Sequence, residues 1–348
     1  MQAAADTLKA AVTGEKTSAT GLKEYQRGYK PDPKGEKEAQ GGEGSRPPGK
    51  QTVMLDQPLD DILADGSLYK GTGKFEGKVW LISGGDSGIG RSAAILAAYE
   101  GANVAIVYLP QEQKDAENVR DYINEKTSGL RKTLLLPLDL KSEANCIKAV
   151  QETVANFGRL DVLFNNAAQQ LENQDLLTLD SKQWEDTFQL NMVRHSPSPD
   201  PQSFGRILIA ANCLLQHSFF YMTKAAVPHL QKVKGSIVNN ASVNAFIGRP
   251  DLLDYTSTKG AIVSFTRGCA NQLASKDIRV NAVAPGPIVT PLVHSTFSAD
   301  NIAGVNSGPL ERPGQPVEVA TGVIFLASNL ASYITGNTLH INGGMFVH

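Results

Sequence analysis

One short turn limits what this chain can fold into more than any other stretch: Ser83-Gly84-Gly85-Asp86-Ser87-Gly88-Ile89-Gly90-Arg91. Lys78 to Ile82, just before it, read as a short buried strand, and Ser92 to Glu100, just after it, repeat apolar and small residues at helical spacing. Strand, glycine turn and helix together are the context of a dinucleotide-binding fingerprint. Gly84 lets the chain turn sharply off the strand, where a Cβ would clash. Gly88 lets backbone approach a pyrophosphate, and Gly90 lets the helix pack closely on the sheet. A phosphate at such a helix N-terminus meets free N–H groups and the positive end of the dipole.

From Lys78 onward the pattern alternates. Strands are expected at Val79–Ile82, Val104–Tyr108, Thr133–Leu138, Val162–Phe164, Ser236–Asn240, Arg279–Val283 and Thr338–Ile341. Helices are expected at Ile89–Glu100, Lys114–Ser128, Glu143–Phe157, from Ser181 onward, Tyr255–Ser275 and Pro316–Ala331. That order implies an α/β fold, a doubly wound parallel sheet of Rossmann type covered by helices on both faces. Ligands bind such sheets at the strand C-termini. The unusual residues fall there: Asp139-Leu140, Asn165-Asn166-Ala167-Ala168, Ala241-Ser242-Val243, and Ala284-Pro285-Gly286-Pro287-Ile288 followed by Thr290.

Tyr255 and Lys259 are four residues apart and share one face of the expected helix. Such a pair alone is usually a solvated helical pair. Here it follows Ser242, and Asn191 lies upstream in a Leu-Asn-Met context. The turn spacing and this set resemble the short-chain dehydrogenase/reductase family, in its shorter branch, from about Gly73 to the C-terminus with one interruption. The resemblance implies a catalytic tetrad of Asn191, Ser242, Tyr255 and Lys259. It implies hydride transfer between a nicotinamide cofactor and a ketone or secondary alcohol, with Tyr255 as acid/base. A phenol has an ordinary pKa of about 10, so an adjacent Lys259 ammonium is expected to lower it. Ser242 would hold the substrate oxygen, and Asn191 a water that relays protons from Lys259. Cofactor contacts carried over from the family are Gly84, Ser87, Gly88, Ile89, Gly90, Tyr108, Asp139, Asn165, Tyr255, Lys259, Pro285, Gly286, Ile288 and Thr290. Ala168 stands where the family has glycine, so its Cβ would crowd the backbone if the position needs positive φ.

The end of the second strand reads Tyr108-Leu109-Pro110, with no carboxylate to bond a ribose 2′-hydroxyl and repel a 2′-phosphate. NADP is therefore the favoured cofactor and NAD the alternative. The other class of function to weigh is a non-catalytic dinucleotide-binding or regulatory protein, its site disrupted by the interruption. The turn and the Leu253–Lys259 stretch look closest to a subgroup linked to sugar or polyol oxidoreduction.

The rest of the chain sets outer bounds. Its 348 residues are 41% apolar, with a formal net charge of -2, which gives no reason to expect nucleic acid or an anionic membrane as partner. Cys146, Cys213 and Cys269 are widely spaced and suggest neither a metal site nor a disulfide framework. No run is apolar enough for a membrane span, and a cytoplasmic location is the expectation. Residues 1–58 are polar and rich in Gly, Lys, Glu and Pro, so they read as a disordered tail. Residues 59–77 read as a lead-in and 78–348 as one oxidoreductase domain, with folded structure starting near Gly73. Residues 193–216 interrupt that domain. They carry Pro197, Pro199 and Pro201, which cannot continue the helix holding Asn191. The segment is either a genuine insertion or a retained intron: Val193 permits a GT start, Ala211-Asn212 a branch-like sequence and Gln216 a CAG end. The family resemblance also implies a homo-oligomer, a tetramer or dimer, acting on a small carbonyl or alcohol substrate.

Overall fold

The computed structural model describes residues 49–54, 57–191, 218–296 and 308–347. The tail up to residue 48, Cys213 and the interruption at 193–216 lie outside the described residues. Seven strands form one sheet: β1 (Val79–Ser83), β2 (Asn103–Tyr108), β3 (Thr133–Pro137), β4 (Val162–Asn165), β5 (Ser236–Asn240), β6 (Arg279–Pro285) and β7 (Thr338–Ile341). All pair in parallel, in the order β3-β2-β1-β4-β5-β6-β7. Each expected strand is present within about two residues.

Parallel strands covered on both faces are apolar throughout rather than alternating. β1 reads Val-Trp-Leu-Ile-Ser and is buried at every position. Its odd and even residues still serve different cores. Trp80 and Ile82 join Val104, Ile106 and Phe164 on one face, while Leu81 joins Ala105, Val107 and Leu163 on the other. Helices α1 (Gly88–Tyr99), α2 (Gln113–Lys126) and α9 (Pro316–Ala327) cover the first face. Ala93, Ala94, Ala97 and Ala98 make α1 thin enough to pack closely with α9 around Val319, Ala320 and Val323. Helices α3 (Glu143–Phe157), α4 (Ser181–Asn191), α5 (Ser218–Val233) and α7 (Leu253–Leu273) lie toward the second face, where Met222, Ala226 and Leu230 are fully buried. Short helices α6 (Asn244–Ile247) and α8 (Pro291–Thr296) follow β5 and β6. The chain leaves β1 toward β2 and leaves β4 toward β5, so the strand order reverses between β1 and β4. A crevice opens at their C-terminal ends, which is where such sheets bind ligands.

One boundary differs from the sequence reading. The chain packs on the domain already at Gly49, well before Gly73 and inside the expected tail. The Gln51 and Thr52 amides donate to the two carboxylate oxygens of Asp115, at 3.0 and 3.1 Å. Leu59 is tied to α9 through its own amide, which donates to Gln315 at 3.0 Å, and its carbonyl, which accepts from Val317. Composition missed this arm because hydrogen bonds and a few scattered apolar residues such as Met54 and Leu59 anchor it, not an apolar run.

The two helices that flank the interruption meet end to end. The Ser218 hydroxyl donates to the Leu190 carbonyl at 2.5 Å. With Val193–Gln216 removed, Ser218 would follow Leu190 by four positions, and a serine hydroxyl bonding the carbonyl four residues back is a pattern of continuous helix.

Candidate active site

Gly84 leaves β1 at φ +63, in the left-handed region that side chains avoid, and carries the chain across the end of Ala167 and Asn166. Gly90 is required for a different reason. A Cβ there would stand 1.9 Å from the Gly84 carbonyl oxygen, so the first turn of α1 can fold back on the glycine turn only with hydrogen at that position. The N-cap, Ser87, makes no side-chain cap bond to the first turn of α1, and the Gly88 amide there donates to the Gln51 side-chain carbonyl at 2.8 Å.

A cavity of about 660 Å³ runs along the strand ends from this turn. Gly84, Ser87, Gly88, Ile89, Tyr108, Asp139, Pro285, Gly286, Ile288 and Thr290 line it, as do Ser242, Tyr255 and Lys259. The size lies within the usual few hundred to a thousand Å³ of cofactor sites. The residues fit a dinucleotide: a glycine cradle, a helix start that its N-cap side chain leaves uncapped, and the buried Oδ1 of Asn240, which has no partner. A bound nicotinamide would supply the hydride.

The catalytic end is built by β5 and α7. Ser242 sits in the turn after β5, and the Asn244 amide donates to its hydroxyl at 3.2 Å. Tyr255 and Lys259 lie in the first two turns of α7, both buried. The Ser242 hydroxyl lies near enough to the Tyr255 phenol to pull its pKa down. The Lys259 ammonium donates to the Asn240 carbonyl at 2.6 Å and lies 5.2 Å from the Tyr255 ring centroid. Burial pushes the Tyr255 phenol up to about 12, with the Ser242 hydroxyl pulling the other way. Burial also pushes Lys259 down to about 7. The expected lowering of the phenol by Lys259 is thus reversed. Desolvation dominates at Tyr255, and the interaction that opposes it comes from Ser242.

Three further positions differ from expectation. Asn165 does not line the cavity: it is fully buried, and its amide donates to Asn239 at 2.9 Å and to Thr223 at 3.3 Å. Its neighbour Asn166 lines the cavity instead, donating to the Gly84 carbonyl at 2.9 Å and accepting from Asn240 at 2.8 Å. The alternation of β4 turns the first asparagine into the core and the second toward the crevice. Gly90 sits behind the turn rather than in the cavity wall. Ala168 lines the cavity without positive φ, so its Cβ causes no strain. Asn191 ends α4, next to Leu190, which lines the cavity; the Asn191 side chain lies outside what is described.

Sequence reasoning missed the carboxylates beside Tyr108. Asp86, in the glycine turn, and Glu112, just beyond β2, are both buried in the cavity wall. Burial raises the pKa of both; the Asp115 charge adds to the rise at Asp86, and the Asp86 and Asp115 charges add to that at Glu112. Glu112 was visible four residues past the strand, but only the fold brings it back to the strand end. At the opposite end Gln169, Asn244, Arg249 and Met345 line the space beyond Ser242.

Fold and site together define a nicotinamide-dependent oxidoreductase. The chain matches the family model described as short chain dehydrogenase over residues 78–195, and that described as enoyl-(acyl carrier protein) reductase over residues 208–346. An NADPH-dependent aldehyde reductase of Arabidopsis thaliana is 44% identical over 305 residues, 86% of this chain and 96% of that one. A glucose and ribitol dehydrogenase of Daucus carota is 40% identical over 314 residues, 88% and 98% of the two chains. A 3-ketoacyl-(acyl-carrier-protein) reductase of Brucella melitensis, solved with NADH, superposes with a TM-score of 0.64 at 29% identity, over 78% of this chain and all of that one. The chain belongs to the short-chain dehydrogenase/reductase family and is an NAD(P)-dependent oxidoreductase. Among the described residues, no helix is long and apolar enough to cross a membrane.

Proposed function

We propose that this protein reduces a ketone or aldehyde on a small molecule, with NADPH as the favoured hydride donor and NADH as the alternative. The observation that carries this reading is the convergence of Ser242, Tyr255 and Lys259 at one end of the cavity that begins at the glycine turn. Ser242 holds the substrate oxygen. Tyr255, whose phenol burial keeps protonated at neutral pH, gives its proton to that oxygen as charge builds there. Lys259 orients the ribose and makes the proton transfer easier while it is charged. Asn191, at the end of α4, holds the relay water. The cavity is continuous past Leu190, which speaks against a non-catalytic binding protein.

The NADPH-dependent aldehyde reductase among the relatives supports NADP(H) use. The retained proton on Glu112 removes a charge that would otherwise repel a 2′-phosphate. The glucose and ribitol dehydrogenase supports a polyol or sugar-derived substrate, in keeping with the amides of Gln169 and Asn244 in the cavity wall. The working form is a homo-oligomer, a tetramer or dimer, in the cytoplasm.

A panel of aldehydes, ketones and polyols, run with both cofactors in both directions, tests the activity. Turnover of none of them with either cofactor would refute it. The pH dependence of reduction follows from Lys259. Below about 7 it is charged and supports the developing alkoxide; above, it is a neutral amine. The kcat/KM for reduction is therefore expected to fall as pH rises through about 7. A flat profile from pH 6 to 9 would remove Lys259 from the proton transfer.

A further inference from the structure

Asn191 ends α4, and Tyr255 lies in the first turn of α7. How α4 sits against α7 therefore decides where Asn191 stands relative to Tyr255. Apolar contacts hold α4 in place: Phe188 packs against the cluster of Phe219 and Ile262, and Trp184 stacks on Phe188 at 4.7 Å. Such burial is non-directional and leaves a helix free to slide or turn by small amounts. Hydrogen bonds are directional and fix a register.

Among the described residues, two side chains of α4 hydrogen-bond beyond the helix, and both reach the carboxylate of Asp254. The Thr187 hydroxyl, fully buried, donates to Oδ2 at 2.9 Å. The Gln183 amide donates to the same oxygen at 3.3 Å, and to the Leu171 carbonyl at 3.3 Å. The other oxygen, Oδ1, accepts the backbone amide of Tyr255 at 2.7 Å. That amide belongs to the first turn of α7, where helical partners are missing. Asp254 is 1% exposed, and burying a carboxyl group is costly unless its oxygens are bonded. Here the two oxygens are bonded to two different helices. Thr187 precedes Asn191 by four residues, one helical turn, and Asp254 precedes Tyr255 by one. Asn191 and Tyr255 are thus joined by one turn of α4, one carboxyl group and one peptide unit.

We infer that Asp254 is a positioning residue for the proton transfer: by tying Thr187 of α4 to the Tyr255 amide of α7, it sets the place of Asn191 relative to Tyr255. This rests on the proposed role of Asn191 in holding the relay water. Asp254 does not line the cavity, so it acts through the backbones of the two helices. A relay through Lys259, a water and Asn191 tolerates little displacement, since a shift of about 1 Å can cost about a hundredfold in rate.

The test uses the full-length protein, with NADPH and glyceraldehyde as probes. Asp254→Ala, which releases both helices, is expected to lower kcat about ten- to a hundredfold. The KM for glyceraldehyde and the NADPH affinity read by fluorescence are expected to change less than about twofold. Thr187→Val keeps the shape, removes the donor and is expected to follow Asp254→Ala. Thr187→Ser keeps the hydroxyl, and Asp254→Asn keeps an acceptor for the Tyr255 amide; both are expected to stay within about threefold of the unaltered kcat. The double variant decides whether the effect passes through Asn191. In an Asn191→Ala protein, Asp254→Ala should lower kcat by less than about a further twofold. Additive losses, an NADPH affinity that falls in step with kcat, or an unaltered kcat in a folded Asp254→Ala protein each overturn the assignment. Amide hydrogen exchange gives a check that needs no turnover: exchange in Ser181–Asn191 should quicken in Asp254→Ala while that of α1 stays the same, and unaltered exchange in α4 overturns the tether. If Asn191→Ala alone leaves kcat unaltered, the proposed role of Asn191 falls and this positioning role with it. That outcome is distinct from a defective Asn191→Ala beside an unimpaired Asp254→Ala, which defeats the Asp254 assignment alone.

Discussion

Replacing Tyr255 by phenylalanine is expected to lower turnover by about 10³-fold while cofactor affinity changes by less than about twofold, because general acid catalysis contributes about 10² to 10⁴. The substitution removes one oxygen and keeps the ring that packs beside Lys259, 5.2 Å from its ammonium. α7 therefore keeps its first turn, and Lys259 keeps its bond to the Asn240 carbonyl. What disappears is the proton donor next to Ser242. Among the described residues, no other side chain at that end of the cavity replaces it, since Ser242 has no base of its own and Lys259 donates to the Asn240 carbonyl. Single-turnover reduction with saturating NADPH isolates the chemical step. A variant that reduces substrate at the unaltered rate would mean that Tyr255 is not the acid.

The second large effect concerns the interruption. Deleting Val193–Gln216 is expected to give one helix from Ser181 to Val233, with higher yield, assembly and activity together. The Leu190 to Ser218 bond already has the spacing of that helix. The buried residues of α5, Phe219, Met222, Ala226 and Leu230, then continue the face that Phe188 begins. Asn191 would sit mid-helix, where its geometry is fixed, instead of at a helix end. Fixed geometry matters to a relay water because small displacements cost large rate factors. Size-exclusion chromatography and specific activity of the two forms decide between the readings. Transcripts that join the Met192 and His217 codons would establish the intron independently. A deletion that unfolds an otherwise active oligomer would show a genuine structural insertion.

Most of the architecture was legible because its signals are local. Glycine spacing, apolar runs such as Val79 to Ile82, and the four-residue step from Tyr255 to Lys259 each report on a few neighbouring residues. The misreadings arose where distant segments meet. Asn165 and Asn166 are chemically alike, and only the pleat of β4 decides which one faces the crevice. Asp86 and Glu112 are far apart in sequence, and only the sheet brings them to one wall. Gln51 lies in a polar stretch that composition assigns to disorder, yet Asp115 and the Gly88 amide hold it. The raised pKa of Tyr255 depends on how much water the surrounding chain excludes, which no spacing records.

The burial of Tyr255 and Lys259 also sets the fold against the chemistry along the pH axis. Lys259 is depressed to about 7 in the folded protein from an ordinary value of 10.5, so the unfolded chain binds its proton first. Its contribution to stability is complete only above 10.5 and is lost as pH falls toward 7. Tyr255 is raised from 10.0 to about 12, so its contribution is complete below 10 and is lost as pH rises toward 12. Between them these two groups favour the folded protein most in mildly alkaline solution, near pH 10. Reduction favours a charged Lys259, below about 7. The pH at which reduction is expected to be fastest is thus one at which Lys259 itself pulls toward unfolding.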